Sequence, residues 1–389
     1  MIQFSATTPH LKKALSVVSL ALTDTGDTVN THALFEMKNG KIWLYSTDED
    51  KRAIASLPIS DLQVEGESRF TANPKKIQSL LIGSANDIIR FEYDHESKTL
   101  KVYASEDSAS FLSFASYDPD DFLTFDQEMA DASELKAINA EVFQIGIKYI
   151  QGFLPNDDKN KKFANLYIVD GVMYGSNGSS KVGAFKCADI EGVPSLILRR
   201  QMLSQVVTFI EKVAGTDIVV KETDKITMVS TPDGDYSFGF RRAIVDVPNM
   251  PIKVEIPTAD GGVNINRGIM LKKLKRLALT NATREDMGIH LVVGTNELAM
   301  DTAVERKSYE KMACTNITPV GEIPVEFTLK CESFRDILDL YQASNLDIYI
   351  LKTRCIFYSE ASLLIEVTGS EPVKKPFIAV GLLTQAKSV

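Results

Sequence analysis

Three stretches decide how this chain folds: Phe70–Leu81 reads FTANPKKIQSLL, Leu196–Ile210 reads LILRRQMLSQVVTFI, and Phe327–Tyr341 reads FTLKCESFRDILDLY. In each, apolar residues recur three and four positions apart: Ile77, Leu80 and Leu81; Leu203, Val206, Val207 and Ile210; Phe334, Ile337, Leu338 and Tyr341. That spacing lays one apolar stripe along an amphipathic helix. Each helix is preceded by a short strand-like run and followed by another, IIRFEY at Ile88, DIVVKE at Asp217 and DIYILK at Asp347. A second kind of helix leads each unit: LKKALSVVSLAL from Leu11, FQIGIKYIQGFL from Phe143 and LKKLKRLALTNA from Leu271. The chain is therefore one unit repeated three times, which is the first thing to establish in any repeat architecture.

Between the two helices of each unit lie strand-turn-strand segments. Asn39-Gly40 and Asp170-Gly171 separate alternating apolar runs, and such pairs tolerate the positive backbone angles of tight hairpins. The sheets are expected to be antiparallel, with helices on one face, an α+β arrangement. Linkers are expected near 117–140 and 245–266, the latter holding Pro248, Pro251 and Pro257. The implied domains are 1–122, 123–256 and 257–389.

The 389 residues are 44% hydrophobic and 24% charged, an ordinary globular composition. No run reaches the roughly 18 apolar residues of a membrane helix, and no secretory leader is evident, so a cytoplasmic location is expected. Four cysteines, Cys187, Cys314, Cys331 and Cys355, are too few and too scattered for a disulfide framework and are expected to be reduced and buried.

The net charge is -9, which taken alone disfavours a nucleic-acid partner. The charge is uneven, however. Met1–Thr23 and Ala72–Asn86 contain no acid at all, and Arg267–Leu279 carries five cations and no acid. Across the six helical windows the balance is +10, leaving -19 for the remainder. Lysines on one isolated helix ordinarily do no more than solvate it. Cations recurring on the helices of an acidic chain instead form a surface that attracts phosphates without reading bases.

Several segments resemble the bacterial-type DNA sliding clamp, the beta subunit of the replicative DNA polymerase III holoenzyme, and the departures noted below fit a divergent, viral version of it. LYSTDEDKRAIASLPI from Leu44, YIVDGVMYGSNGSSKVGAF from Tyr167, VDVPNMP from Val245, LKKLKRLALTNATRED from Leu271 and KKPFIAVGLL from Lys374 follow in the family's order along nearly the whole chain. The resemblance implies three tandem clamp domains, each of antiparallel sheets with two helices on the inner face. Two subunits would close into a homodimer ring around double-stranded DNA. It implies a processivity factor for DNA replication with DNA polymerase, a clamp loader and other clamp-binding peptides as partners, no cofactor, no metal and no enzymatic activity.

Site residues follow from the same resemblance and from the charge pattern. For DNA they are Lys12, Lys13, Lys75, Lys76, Lys148, Arg199, Arg200, Lys272, Lys273, Lys275 and Arg276, with Lys159, Lys161 and Lys162 in a loop that matches a DNA-touching family segment. The family's basic loop after the first helix reads TDTGDT here, with Asp24 and Asp27, so no DNA contact is implied there. The partner-peptide pocket would use Ser176, Gly178, Val182, Pro248, Val254, Phe377, Ile378 and Val380. Apolar alternation predicts burial of Val254, Ile378 and Val380 equally well. Ser179 and Ser180 replace the family's His-Arg pair, and TQAKSV extends the C-terminus. Ring closure would use Ile77, Leu81, Phe111, Leu277 and Leu279.

Two other classes compete. A metal-dependent DNA-processing enzyme could use Asp120-Asp121 or Asp157-Asp158, although consecutive acids in loops are usually just solvated. His10, His32, His95 and His290 form no ligand motif, and GSNGSSKVG lacks phosphate-loop spacing. A protein-only repeat scaffold is the other alternative, distinguished by failing to associate with DNA at low salt.

Overall fold

Asparagine opens three of the helices, and this local device shows how the chain punctuates itself. Asn73 accepts a hydrogen bond from the Lys76 amide at 3.1 Å, Asn139 from Val142 at 3.1 Å and Asn266 from Ile269 at 3.0 Å. Each satisfies an amide left without an intrahelical partner in the first turn. Six helices follow the expected places: α1 Thr8–Val18, α2 Pro74–Leu81, α3 Ala140–Gln151, α4 Arg200–Val213, α5 Arg267–Leu279 and α6 Cys331–Leu340.

The computed structural model describes the chain apart from residues 24–27, 49, 66–67, 83–86, 105–109, 123–132, 157–161, 178–180, 187–188, 191–192, 194, 214, 216, 224, 248–260, 280–287, 303–307, 317–324, 342, 352–353, 361–376 and 384–389. At 133–136, 181, 261, 288, 325–330, 332–333, 340, 350–351, 354–360 and 377–383 it describes the backbone alone.

The element order recurs three times. A lead strand (Ile2–Thr7, Ser133–Asn139, Gly261–Asn266) runs into a helix, three strands follow, and a further strand, a second helix and three more strands complete the unit, with one additional short strand before the second helix in the first unit (Ser60–Val64) and in the third (Thr315–Asn316). Both tight hairpins form as the dipeptides require, with φ of 55° and 73° at Asn39 and Gly40 and of 50° and 73° at Asp170 and Gly171. In the third unit the same turn uses Asn296 at φ 60°.

The lead strands correct the expected linkers. Ser133–Asn139 pairs with Asp217–Glu222, and Gly261–Asn266 pairs with Asn345–Leu351. SELKAIN and GGVNIN are too polar or glycine-rich to announce a strand, and it is the apolar partner strand that recruits them.

Among the described residues the strands form four sheets of antiparallel pairs, which divide between two compact bodies. Met1–Gln144 with Gln201–Ala243 holds a five-stranded and an eight-stranded sheet; Ile145–Arg200 with Ile244–Val389 holds a nine-stranded and a four-stranded sheet. The middle repeat is thus split, because its strands complete sheets begun by its neighbours. In the eight-stranded sheet, Tyr236–Arg241 of the second repeat pairs with Lys51–Pro58 of the first. In the nine-stranded sheet, Phe377–Leu383 of the third pairs with Lys181–Lys186 of the second.

In the first body the two sheets meet through an aromatic core. Phe4 stacks on Phe91 with centroids 4.6 Å apart, and Phe70 stacks on Phe35 at 4.8 Å and on Tyr93 at 4.9 Å. Such side chains bury large area and prefer offset contact, so they fix the spacing of the layers. In the second body Gly183 permits close approach: a Cβ there would lie 2.3 Å from the Phe153 ring. Cys314 and Cys331 are buried free thiols, and burial pushes the Cys314 thiol up. Cys187 lies outside the described residues, as does the Cys355 side chain.

Candidate nucleic-acid interface and docking strands

The apolar stripe of each helix decides where its cations go. In α1, Leu11, Ala14, Leu15 and Val18 are buried, which turns Lys12 to solvent. In α5, Met270, Leu274 and Leu277 are buried, leaving Lys272, Lys275 and Arg276 exposed. In α2, Ile77 and Leu81 are buried, Lys76 is exposed and Lys75 is half-buried. Lys148 on α3 and Lys162 are exposed. Among the described residues, Lys12, Lys76, Lys272 and Lys275 have no carboxylate partner.

Other cations in the expected set are engaged within the chain. Lys13 donates to the Val213 carbonyl at 2.8 Å and sits 4.6 Å from the Tyr236 ring centroid. That places a cation at the C-terminal end of α4, where unpaired carbonyls gather negative charge. Lys273 pairs with Glu310 at 2.7 Å, and Arg276 approaches the same carboxylate at 3.7 Å. Lys273 holds the Glu310 carboxyl below the usual carboxylate range. Arg200 donates to the Asn156 carbonyl at 3.0 Å, and Arg199 is half-buried. A side chain already spent in this way has less charge to offer phosphate, so sequence counting overstates the free positive surface. Lys159 and Lys161 lie outside the described residues.

The expected docking residues divide by register. Ser176 pairs with Val182, and Val182 with Gly381, so these share one face of the nine-stranded sheet with Phe377. Ile378 pairs with Phe185 and Val380 with Gly183, which places these positions on the alternate side of the ladder, where Phe185 lies against Gly146 of α3 and Gly183 against Phe153. Gly178, Pro248 and Val254 lie outside the described residues.

The expected ring-closing residues also divide, and three need correction. Ile77, Leu81 and Leu277 are 0%, 0% and 1% exposed, so they hold their own helices to the sheets and have no surface to present to a partner. The helical period that suggested them marks core as readily as interface. Phe111 and Leu279 are exposed. Sequence reasoning missed the exposed apolar neighbours Leu112, Tyr309, Ile82 and Ile269. Their signal would have been an apolar residue on an edge strand or helix end where no partner strand follows.

Three of the histidines and Asp120 have local contacts within the chain, and Asp157-Asp158 lies outside the described residues. His10 shares a 2.7 Å hydrogen bond with Thr7, His32 meets the Tyr117 ring edge-on, and His290 lies 3.5 Å from Asp301. Asp120 is occupied by Arg69 at 2.9 Å. Among the described residues no three His, Cys, Asp or Glu side chains gather where they could hold a metal. No described helix is long and apolar enough to cross a membrane.

No family model and no curated protein matches this sequence. Solved structures do match it in shape. The DNA polymerase III beta subunit of Thermotoga maritima superposes with a TM-score of 0.73 at 14% identity, covering 99% of this chain and 100% of that one. The DNA polymerase sliding clamp of Caulobacter crescentus gives 0.75 at 12% identity over 99% and 100%. A Pseudomonas aeruginosa sliding clamp bound to griselimycin gives 0.76 at 14% identity over 99% of each chain. The fold of this chain is that of the sliding clamps, end to end.

Proposed function

We propose that this chain is a DNA sliding clamp: a three-domain subunit, divided near 1–122, 123–256 and 257–389, that closes with a second copy into a ring around duplex DNA. It would tether the replicative DNA polymerase and be loaded by a clamp loader, acting by topology and not by catalysis, in the cytoplasm. The observation that carries this reading is the recurrence of exposed lysines on equivalent helices of a clamp fold whose net charge is -9. Lys12, Lys76, Lys272 and Lys275, with Lys148 and Lys162, supply weak phosphate contacts that permit sliding, while the acidic remainder repels DNA. Tight or base-specific contacts would work against such motion.

Partner peptides are assigned to the sheet face of Ser176, Val182 and Phe377, where an extended segment with apolar anchors could lie. Ile378 and Val380 belong to the same strand as Phe377 and complete the proposed docking set.

The test uses linear duplex with both ends blocked by streptavidin after the protein has been added at low salt. A clamp stays on the DNA through a high-salt wash and leaves once a restriction cut frees an end. Retention that ignores the cut, or loss in salt despite blocked ends, would refute encirclement.

A further inference from the structure

The hairpin turns of the three repeats give a common origin from which equivalent positions are counted. Tyr45 lies four residues beyond Lys41, Ser176 four beyond Val172 and Asp301 four beyond Glu297, the residue that closes each turn. Across the next strand pair, Tyr45 faces Ile54, Ser176 faces Val182 and Asp301 faces Tyr309. The place that Ser176 and Val182 hold in the second repeat is therefore held by Tyr45 and Ile54 in the first. There it is already filled. Tyr45 and Ile54 are 7% and 9% exposed, whereas Val182 is only half-buried. Phe122, itself 5% exposed, closes a cluster with Leu34, Tyr45 and Ile54, and Val29 and Trp43 pack against it. The Trp43 indole N–H is buried without an acceptor among the described residues, a donor that this filling leaves unused.

Phe122 anchors a short strap that follows the last strand of the first repeat. The Tyr117 amide donates to the Thr71 hydroxyl at 2.7 Å, and that hydroxyl lies 2.9 Å from the Tyr117 carbonyl, while the Tyr117 ring meets His32 edge-on. A single 3-10 turn over Pro119–Asp121 then returns the Phe122 amide to the Pro119 carbonyl at 3.1 Å. Asp118 pairs with Lys98 at 2.8 Å and Asp120 with Arg69 at 2.9 Å. An extended residue, two carboxylates set on cations and one aromatic ring in an apolar hollow is how a peptide segment is held on a groove. Ion pairs this open to water add little, so Phe122 supplies most of the hold.

We infer that the first repeat carries a second docking face, equivalent to that of Ser176 and Val182, whose resident occupant is the chain's own 116–122 strap, and that a partner segment of the same chemistry, acidic residues running into an aromatic anchor, enters by displacing Phe122. This rests on the assignment of Ser176 and Val182 to a docking face and extends it to the first repeat. Lys98 and Arg69 supply the complementary charge for such a segment, as they do for Asp118 and Asp120. A resident occupant lowers the apparent affinity for any competitor by the fraction of time the face stands vacant. The face therefore answers to segments held at high local concentration, as on a partner already tethered to the protein, and ignores dilute apolar ones.

Trp43, the chain's single tryptophan, packs against this cluster and reports on it directly. The probe is the synthetic peptide SYDPDDF, residues 116–122, with 4-nitrophenylalanine in place of its phenylalanine, a ring that quenches tryptophan fluorescence. Added to the full-length protein, it should quench Trp43 saturably, and a copy with asparagine for its aspartates should need several-fold more. In Phe122→Ala the half-quenching concentration should fall about tenfold or more, because the competitor is gone. Phe122→Leu gives the same test, with a smaller fall, should the alanine variant not fold. Val182→Arg should leave the quenching unchanged while removing whatever fluorescein-labelled peptide binds the second repeat, and that second measurement alone tests the docking face there. Quenching of Phe122→Ala but not of the unaltered protein at any peptide concentration would make Phe122 ordinary core and overturn the proposal. Quenching of neither protein, or quenching lost in Val182→Arg, would overturn it as well, and equal potency of the asparagine peptide would overturn the acidic character of the partner.

Discussion

Two kinds of strand edge occupy the same place in this fold and are built from opposite materials. Inside the chain, Phe238 sits against Ala53 fully buried, and Gly183 lets Phe153 press against the sheet. At the chain's ends the equivalent positions carry the half-exposed Leu112 and the edge strand of Glu310 and Lys311, with Glu310 pinned by Lys273. A junction that never opens can be dry and close-packed. An edge with no neighbouring strand in its own chain needs charge and modest apolar area, or it aggregates. The lesson is that backbone symmetry is conserved along the chain while side-chain polarity tracks whether the edge is covalently guaranteed its neighbour.

The largest expected effect lies at the interior junction. Phe238→Ala should cost about 3–5 kcal/mol, as truncation of a fully buried aromatic does, and Leu112→Ala in the dissociated subunit less than about 0.5 kcal/mol. Urea melts at subunit dilution measure both, and equal losses would erase the distinction between the two edges. Next comes Gly183→Val, which forces atoms into the Phe153 ring and should cost about 1–3 kcal/mol, against no loss for Ser308→Val in the same dissociated subunit.

A smaller effect is expected at the charged edge. Glu310→Gln removes the contacts to Lys273 and Arg276 and should cost about 1 kcal/mol or less, because the pair is partly solvated. Since Lys273 lowers the folded-state carboxyl, this stabilisation is present above the usual carboxylate range and fades as pH falls through the lowered value. Thermal melts of the two proteins should therefore converge in acid; a gap that widens there would contradict the assigned ion pair. Smallest in stability, site for site, is the reversal of Lys12, Lys76, Lys272 and Lys275 to Glu, each within about 0.5 kcal/mol for exposed charges. Its effect falls on retention by end-blocked duplex and on the salt dependence of DNA association, which should flatten.

Much of the fold was legible because its signals are local. The stripes Leu203–Ile210 and Phe334–Tyr341 and the Asn-Gly and Asp-Gly turns each report themselves within a dozen residues, and the triple repeat is their recurrence along the chain. The strands Ser133–Asn139 and Gly261–Asn266 were not legible, since their pairing depends on Asp217–Glu222 and Asn345–Leu351, far along the chain. The candidate site was read less well for the same reason. Lys13 and Lys273 look like Lys12 and Lys272 in sequence, yet Val213 and Glu310 reach them from elsewhere. Ile77, Leu81 and Leu277 carry the period of a helix stripe whether that stripe meets its own sheet or another subunit.

By itself the sequence determined the number of repeats, the helices and hairpins within them, and the concentration of positive charge on helices in an acidic chain, because period and composition are properties of neighbours along the chain. Only the tertiary structure decided which strands share a sheet, which lysines remain unpaired, and which edges are left open. Those outcomes depend on contacts between residues tens to hundreds of positions apart, where no local pattern carries the information.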